Sequence, residues 1–291
     1  PRPPLAARPR RISVSGVERW IANPYAIYAS DILKLKVLPR LGAEPDAALR
    51  GTILHKAMSV FTKRHSDGLP PEADKELTAI AEEILHAYSS HPRIAAFWLP
   101  RFARFAEWFA ETEPVRRDCV SRTLAEVSGE LNFEAAGGNF TLTARADRLD
   151  VTDGGILITD YKTGKPPSDN EVIEMRRPQL PLEAAILAAG GFARIDATNI
   201  AGLRYIQASG GEPPGNERAV TSKDGEAALA EAALESLKEL VARYDCVETP
   251  YAAVRRHGYS YDYDDYAHLA RVGEWAQAID GSGDGDGGAR S

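Results

Sequence analysis

The stretch ADRLDVTDGGILITDYKTG, residues 146 to 164, constrains the fold more than any other part of the chain. Two strand-like runs flank Asp153-Gly154-Gly155, and Asp-Gly is a favoured two-residue hairpin turn. With the turn at Asp153-Gly154, Asp147 falls directly opposite Asp160, their Cβ atoms about 5 Å apart. A longer turn through Gly155 would shift the pairing by one. Side chains two apart on a strand share a face, so Lys162 projects beside Asp160 while Tyr161 points the other way.

Opposed like charges on a sheet are unfavourable, so this pair asks for positive charge between its members. Lys162 can neutralise only part of it. A hard divalent cation such as Mg²⁺ suits oxygen ligands, and it can acidify a bound water and polarise a phosphate oxygen. A nearby lysine can then orient the nucleophile or steady developing charge. The alternative is a solvated Asp–Lys salt bridge on an exposed strand. Against that, Asp160 closes the apolar run ILIT, and Lys162 leads into Thr163-Gly164, a turn that leaves the face accessible.

Around this hairpin the hydrophobic period changes. Ser15 and Glu18 fit a capping box opening a short helix through Trp20, and YAIYASDILKL continues as a second helical run after Pro24. In RGTILHKAMSVFTKRH, apolar residues recur at helical spacing, and two more helices are expected near 73–89 and 93–111. The aromatic stripe Phe97, Trp98, Phe102, Phe105, Trp108 and Phe109 in the latter is expected to be core. Three strands follow, TLAEVSGELNFEA, NFTLTARADRLDV and GILITDY. Beyond them come a helix near 177–190, a strand near 200–207 and helices near 225–244 and 264–279. The order is that of a mixed α/β domain with extra helices at both ends.

The chain has 291 residues, 44% of them hydrophobic and 26% charged, enough apolar material for a sizeable core. No stretch approaches a membrane span, and no signal peptide opens the sequence. With two cysteines, Cys119 and Cys246, neither a disulfide framework nor a cysteine zinc site is expected, and an intracellular, cytoplasmic location is the default. Residues 1–11, Pro- and Arg-rich, read as a linker and suggest a fragment of a longer protein. Residues 12–279 read as one domain with a core at about 49–208, and 280–291 as a flexible tail.

At the hairpin residues the sequence resembles the PD-(D/E)xK nucleases, and among them the RecB-like branch. Four ordered blocks carry the resemblance: GTILH around His55, ADRLD around Asp147, ITDYKTG with Asp160 and Lys162, and PQLPLEA around Gln179. It implies a restriction-endonuclease-like αβββαβ core. NPYAIYASDILKLK and YAHLARVGEWA are similar to parts of the C-terminal nuclease domain of the B subunit of AddAB helicase–nucleases, which process DNA double-strand breaks. The likeness spans roughly residues 12 to 279 and is looser after about 208.

The resemblance implies that Asp147, Asp160 and the backbone carbonyl of Tyr161 hold Mg²⁺ (Mn²⁺ substituting), with His55 as a further ligand. It implies that Lys162 positions the attacking water and that Gln179 steadies the site or the DNA strand. Two departures stand out. Many relatives carry an iron–sulfur cluster on four cysteines; here Asn23 occupies one of those positions and only two cysteines exist, so no cluster of that kind is expected. Packing must then replace that staple. Where the branch often has a tyrosine four residues after the glutamine, this chain has Glu183.

The net charge of −7 argues weakly against nucleic acid, but binding needs only local positive charge. Candidates are Arg176 and Arg177 leading into the Gln179 helix, Lys162 with Lys165, and Arg101 with Arg104. The tyrosines of HGYSYDYDDYAH could stack on bases, although their aspartates favour packing instead. The expectation is a Mg²⁺-dependent deoxyribonuclease acting exonucleolytically on single-stranded DNA that a partner helicase subunit, AddA-like, feeds in. Its rival is a non-catalytic scaffold that keeps the fold and binds DNA or the partner.

Overall fold

One long strand organises the sheet, because its two edges are used differently. The computed structural model describes residues 1–36, 47–86, 92–253 and 265–271. Its strands are β1 (Arg11–Ser13), β2 (Val120–Ala135), β3 (Gly138–Thr152), β4 (Gly155–Lys162), β5 (Ile200–Ala208) and β6 (Gly215–Ala219). Antiparallel β2 covers one edge of β3 along most of its length. The other edge is shared: β1 pairs in parallel as far as Ser13 opposite Thr143, and β4 pairs antiparallel from Arg148 opposite Thr159 onward. On its other edge β4 runs in parallel beside β5 from Ile156 to Lys162, and beyond Thr159 it has left β3.

The hairpin register is the one the Asp-Gly turn demands. Thr152 lies opposite Gly155, and every later pair follows from a turn at Asp153-Gly154. Gly155 has φ +128°, and a Cβ there would lie 2.4 Å from the Asn199 carbonyl oxygen. That same carbonyl accepts the Ile156 N–H at 2.8 Å. Gly155→Ala is therefore expected to cost roughly 1–3 kcal/mol or more from backbone strain alone, read as a lower urea midpoint at unchanged slope.

Helices cover both faces: α1 (Val14–Ala22), α2 (Pro24–Ile27), α3 (Ala47–Arg64), α4 (Ala73–His86), α5 (Pro92–Arg117), α6 (Asp169–Ile173), α7 (Gln179–Ala188) and α8 (Gly225–Asp245). One core joins α1, α7 and α8 to the sheet through Trp20, Leu142, Ile158, Leu182 and Tyr205. The other joins α3, α4 and α5 through Phe61, Phe105, Phe109, Tyr161 and Ile206. The opposite pointing of Tyr161 and Asp160 follows from the strand period. Among the described residues no helix is long and apolar enough to cross a membrane.

Several expectations are corrected. Ser13, not Ser15, caps α1: β1 leaves it extended, and its Oγ accepts the Gly16 N–H at 3.0 Å. The second helical run is the short α2 followed by a π-type turn, Tyr28–Ile32. The aromatic stripe of α5 is only partly core, since Phe105 and Phe109 are buried but Phe97 is 72% exposed. Strands β1 and β6 and helix α6 were not legible, being short and polar. Residues 265–271 form turns rather than helix. Residues 272–279 of the expected last helix, the tail 280–291 and most of the tyrosine-rich segment lie outside the described residues.

The opening residues do not behave as a linker. Arg8 is buried and donates to the carbonyls of Tyr244, Cys246 and Val247 at 2.5, 2.9 and 2.8 Å. Tyr251 donates its N–H to the Pro1 carbonyl at 2.9 Å, and Trp20 packs on Tyr244 with ring centroids 4.9 Å apart. Hydrogen bonds and aromatic packing thus tie residues 1–20 to 244–251. Asn23 accepts the Tyr25 N–H at 3.2 Å and so caps α2.

Candidate active site

Asp147 sits where the edge of β3 passes from one partner strand to the other, one residue before the ladder with β4 begins. Its Oδ2 accepts the Tyr161 N–H at 3.0 Å, bridging the fork. Its Oδ1 lies 3.0 Å from Nδ1 of His55 on α3. Asp160, 1% exposed, occupies the diverging strand β4. Its Oδ2 is 2.7 Å from Lys162 Nζ, and its Oδ1 accepts from Gln179 Nε2 at 2.6 Å. Gln179 Oε1 in turn accepts from Lys162 Nζ at 2.9 Å. The glutamine amide needs both its donor and its acceptor for this, and it closes a ring of three side chains.

Glu183, one turn along α7, continues the line. Gln179 Nε2 lies 3.3 Å from its Oε1, while its buried Oε2 has no hydrogen-bond partner among the described residues. The sequence patterns placed α7 as a helix, but Glu183 is 1% exposed because α7 is enclosed from Leu180 to Leu187.

The electrostatics follow from burial and proximity. Burial, with the charges of Asp160 and Asp147, holds the Glu183 carboxyl well above the usual carboxylate range. Burial also pushes Asp160 up; Lys162 opposes this and Asp147 adds to it. Burial works to lower His55, yet its hydrogen bond to Asp147 and the nearby acid charges raise it. For Lys162, burial is likewise outweighed by Asp160, Glu18 and Asp147.

The structure thus brings together His55, Asp147, Asp160, Tyr161, Lys162 and Gln179. The opposed acids are answered by the chain's own groups as well as by any cation, His55 on one carboxylate and Lys162 with Gln179 on the other. Among the described residues, no three His, Cys, Asp or Glu side chains are grouped so as to enclose a cation by themselves. Of the arginines suggested for DNA, Arg176 pairs with Glu174 at 2.8 Å, Arg177 lies 3.7 Å from Glu18, and Arg104 donates to the Gly210 carbonyl at 2.9 Å. Lys165 and Arg101 are exposed.

Behind the site, on the other face, lies a buried ion network that sequence reading missed. Arg148 reaches Glu113 of α5 at 2.7 Å and Asp150 at 2.9 Å. Asp150 is also 2.8 Å from Arg204 of β5, and Glu113 pairs with Arg116 and Arg117 at 2.9 and 2.7 Å. The alternation of Arg148 and Asp150 within an apolar strand was the available signal. Glu18 was missed as well, having been read as part of a cap on its own helix.

The sequence pattern of the PD-(D/E)XK nuclease superfamily matches residues 11–257. The chain belongs to that superfamily. The six-stranded mixed sheet flanked by helices agrees with its restriction-endonuclease-like fold. Uncharacterised proteins of Rickettsia bellii and Rickettsia typhi are each 30% identical to it, over 185 and 189 residues respectively. Each match covers 63% of this chain and 22% of the relative, so the chain spans about a fifth of those proteins. The solved structure of SSO0001 aligns over 90% of this chain and 86% of its own, at TM-score 0.41 and 13% identity.

Proposed function

We propose that this superfamily member is a metal-dependent deoxyribonuclease of the RecB-like, AddB-type branch. It would hydrolyse phosphodiester bonds in single-stranded DNA delivered by an AddA-like helicase subunit during double-strand break repair. The observation that carries the reading is the Asp160–Lys162–Gln179 ring set beside Asp147 and His55 at the strand fork. A purely structural sheet has no use for five polar side chains converging at the point where two strands part.

The donors suit a hard divalent cation: carboxylates of Asp147 and Asp160, the Tyr161 carbonyl and the His55 imidazole. The buried Oε2 of Glu183, which has no hydrogen-bond partner among the described residues, offers a further oxygen beside them. When bound, Mg²⁺ supplies Lewis acidity toward a phosphate oxygen and a more acidic water. Lys162 orients the attacking water and stabilises the charge gathering on phosphate. Gln179 holds Lys162 and Asp160 at fixed spacing, which pre-organises both.

His55 must be neutral before it can ligate. Because the fold raises its pKa above 6.5, Mn²⁺ affinity is expected to tighten as pH rises through that value and beyond. Titration calorimetry at several pH values measures this, and a pH-independent affinity would remove His55 from the ligand set. Activity itself is tested with end-labelled single-stranded DNA and Mg²⁺ or Mn²⁺, using the chain alone and in its complete complex. Cleavage is expected. Products no faster than those from Asp160→Ala in both settings would leave the non-catalytic scaffold as the reading.

A further inference from the structure

Helix α7 carries Gln179 into the site, yet nothing local holds its start. Its N-cap position is Pro178, which makes no side-chain cap, and its first turn contains no acid. The first N–H groups of a helix need acceptors from elsewhere, and an anion there is favoured by the helix dipole. The acceptor comes from α1: Glu18 Oε1 receives the Gln179 N–H at 3.3 Å. Glu18 Oε2 lies 3.7 Å from Arg177, just before the helix.

We propose that Glu18 is a positioning residue of the active site, capping α7 from a separate element and thereby setting where the Gln179 amide stands between Asp160 and Lys162. The placement of Glu18 is itself secured. The Ser13 cap fixes the start of α1, and Trp20, 1% exposed, anchors its far side in the core against Tyr244. The Glu18 side chain is 18% exposed. Burial raises its pKa, while Lys162, Arg177 and the Gln179 N–H favour its charged form. A displacement of the first turn of α7 would move both ends of the Gln179 amide at once, loosening Asp160 and Lys162 together. Residues near the start of the chain, remote in sequence from the hairpin, thus bear directly on the geometry of the reacting groups.

The catalytic side of this inference rests on the nuclease reading, so the test has two arms. The first is amide hydrogen exchange, which needs no activity. Exchange at Gln179 is expected to quicken about tenfold in Glu18→Ala, the scale of one lost charge-assisted hydrogen bond, and to stay protected in Glu18→Gln, which keeps an acceptor. The second arm is steady-state kinetics on labelled single-stranded DNA with Mg²⁺. Glu18→Ala is expected to lower kcat about 10–100-fold, the usual range for an outer-shell partner, with little change in KM. Glu18→Gln should restore most of it. In a Gln179→Ala background, Glu18→Ala should cause no further loss.

Unchanged Gln179 exchange in Glu18→Ala would overturn the cap. An equal loss of kcat with and without Gln179 would overturn the positioning role, as would full activity in Glu18→Ala. Should Glu18→Ala fail to fold, Glu18→Asp withdraws the acceptor with less disturbance and is read by the same criteria. A wild-type complex that cleaves nothing would sink the nuclease reading, and the exchange arm would still decide the cap.

Discussion

Asp160→Ala and Lys162→Ala are expected to all but abolish DNA hydrolysis while the protein stays folded. For Lys162 the loss should reach the ~10²–10³-fold cost of removing a single charge-stabilising donor, and it should fall on kcat. Asp160→Ala should lose at least as much, because it removes a carboxylate oxygen from the candidate metal set and the anchor of both Gln179 and Lys162. Stability should behave differently. Asp160 is buried, and burial disfavours its charged form, so its removal relieves a desolvation cost while leaving Lys162 still bonded to Gln179. Thermal melts near the wild-type value together with lost turnover would fit this account. Mutants that cleave as fast as wild type would refute it.

Arg148→Met is expected to have the largest effect on stability, roughly 3–5 kcal/mol, the cost of removing one partner from a buried ion pair. Arg148 is fully buried, and so are Glu113 and Asp150, which it touches. The remaining arginines cannot take over both acids: Arg116 and Arg117 serve Glu113, and Arg204 serves Asp150 from another strand. Burial disfavours the Glu113 charge, and Arg148 heads the arginines that nonetheless hold its carboxyl below the usual range. Taking Arg148 away therefore leaves acids that are charged, dry and under-partnered. Denaturant unfolding reads the loss, and replacing Arg148, Glu113 and Asp150 together with apolar residues should recover much of it. A single mutant within about 1 kcal/mol of wild type would show the network to be dispensable. Because Arg148 adjoins Asp147 and also reaches the Tyr161 hydroxyl at 3.5 Å, some loss of turnover should accompany the loss of stability.

The parts of the fold and site that were legible in the sequence are those governed by short-range rules. A two-residue Asp-Gly turn and the alternation of strand side chains place Asp147, Asp160 and Lys162 on one face, and the observed ladder has that register. The four motif blocks likewise pointed to His55 and Gln179, which the structure gathers within hydrogen-bonding reach of the two acids. Where the reading failed, a distant element had taken over a local role. Glu18 resembled half of a capping box, but β1 runs to Ser13 and hands it the cap, which frees Glu18 for α7. Phe97 resembled core because it follows the helical stripe, yet it is exposed while its neighbours Trp98 and Leu99 pack against the core.

From the sequence alone, then, came the strand hairpin, its register and the residues that project from it, because turn chemistry and a period of two act over a few residues. Only the tertiary structure decided which groups answer those charges. His55 arrives from a helix on the opposite face of the sheet, Gln179 from α7, Glu18 from near the chain's start, and Glu113 from α5. Such pairings depend on how packed layers bring remote segments within about 3 Å, the reach of a hydrogen bond, and no local pattern encodes that distance.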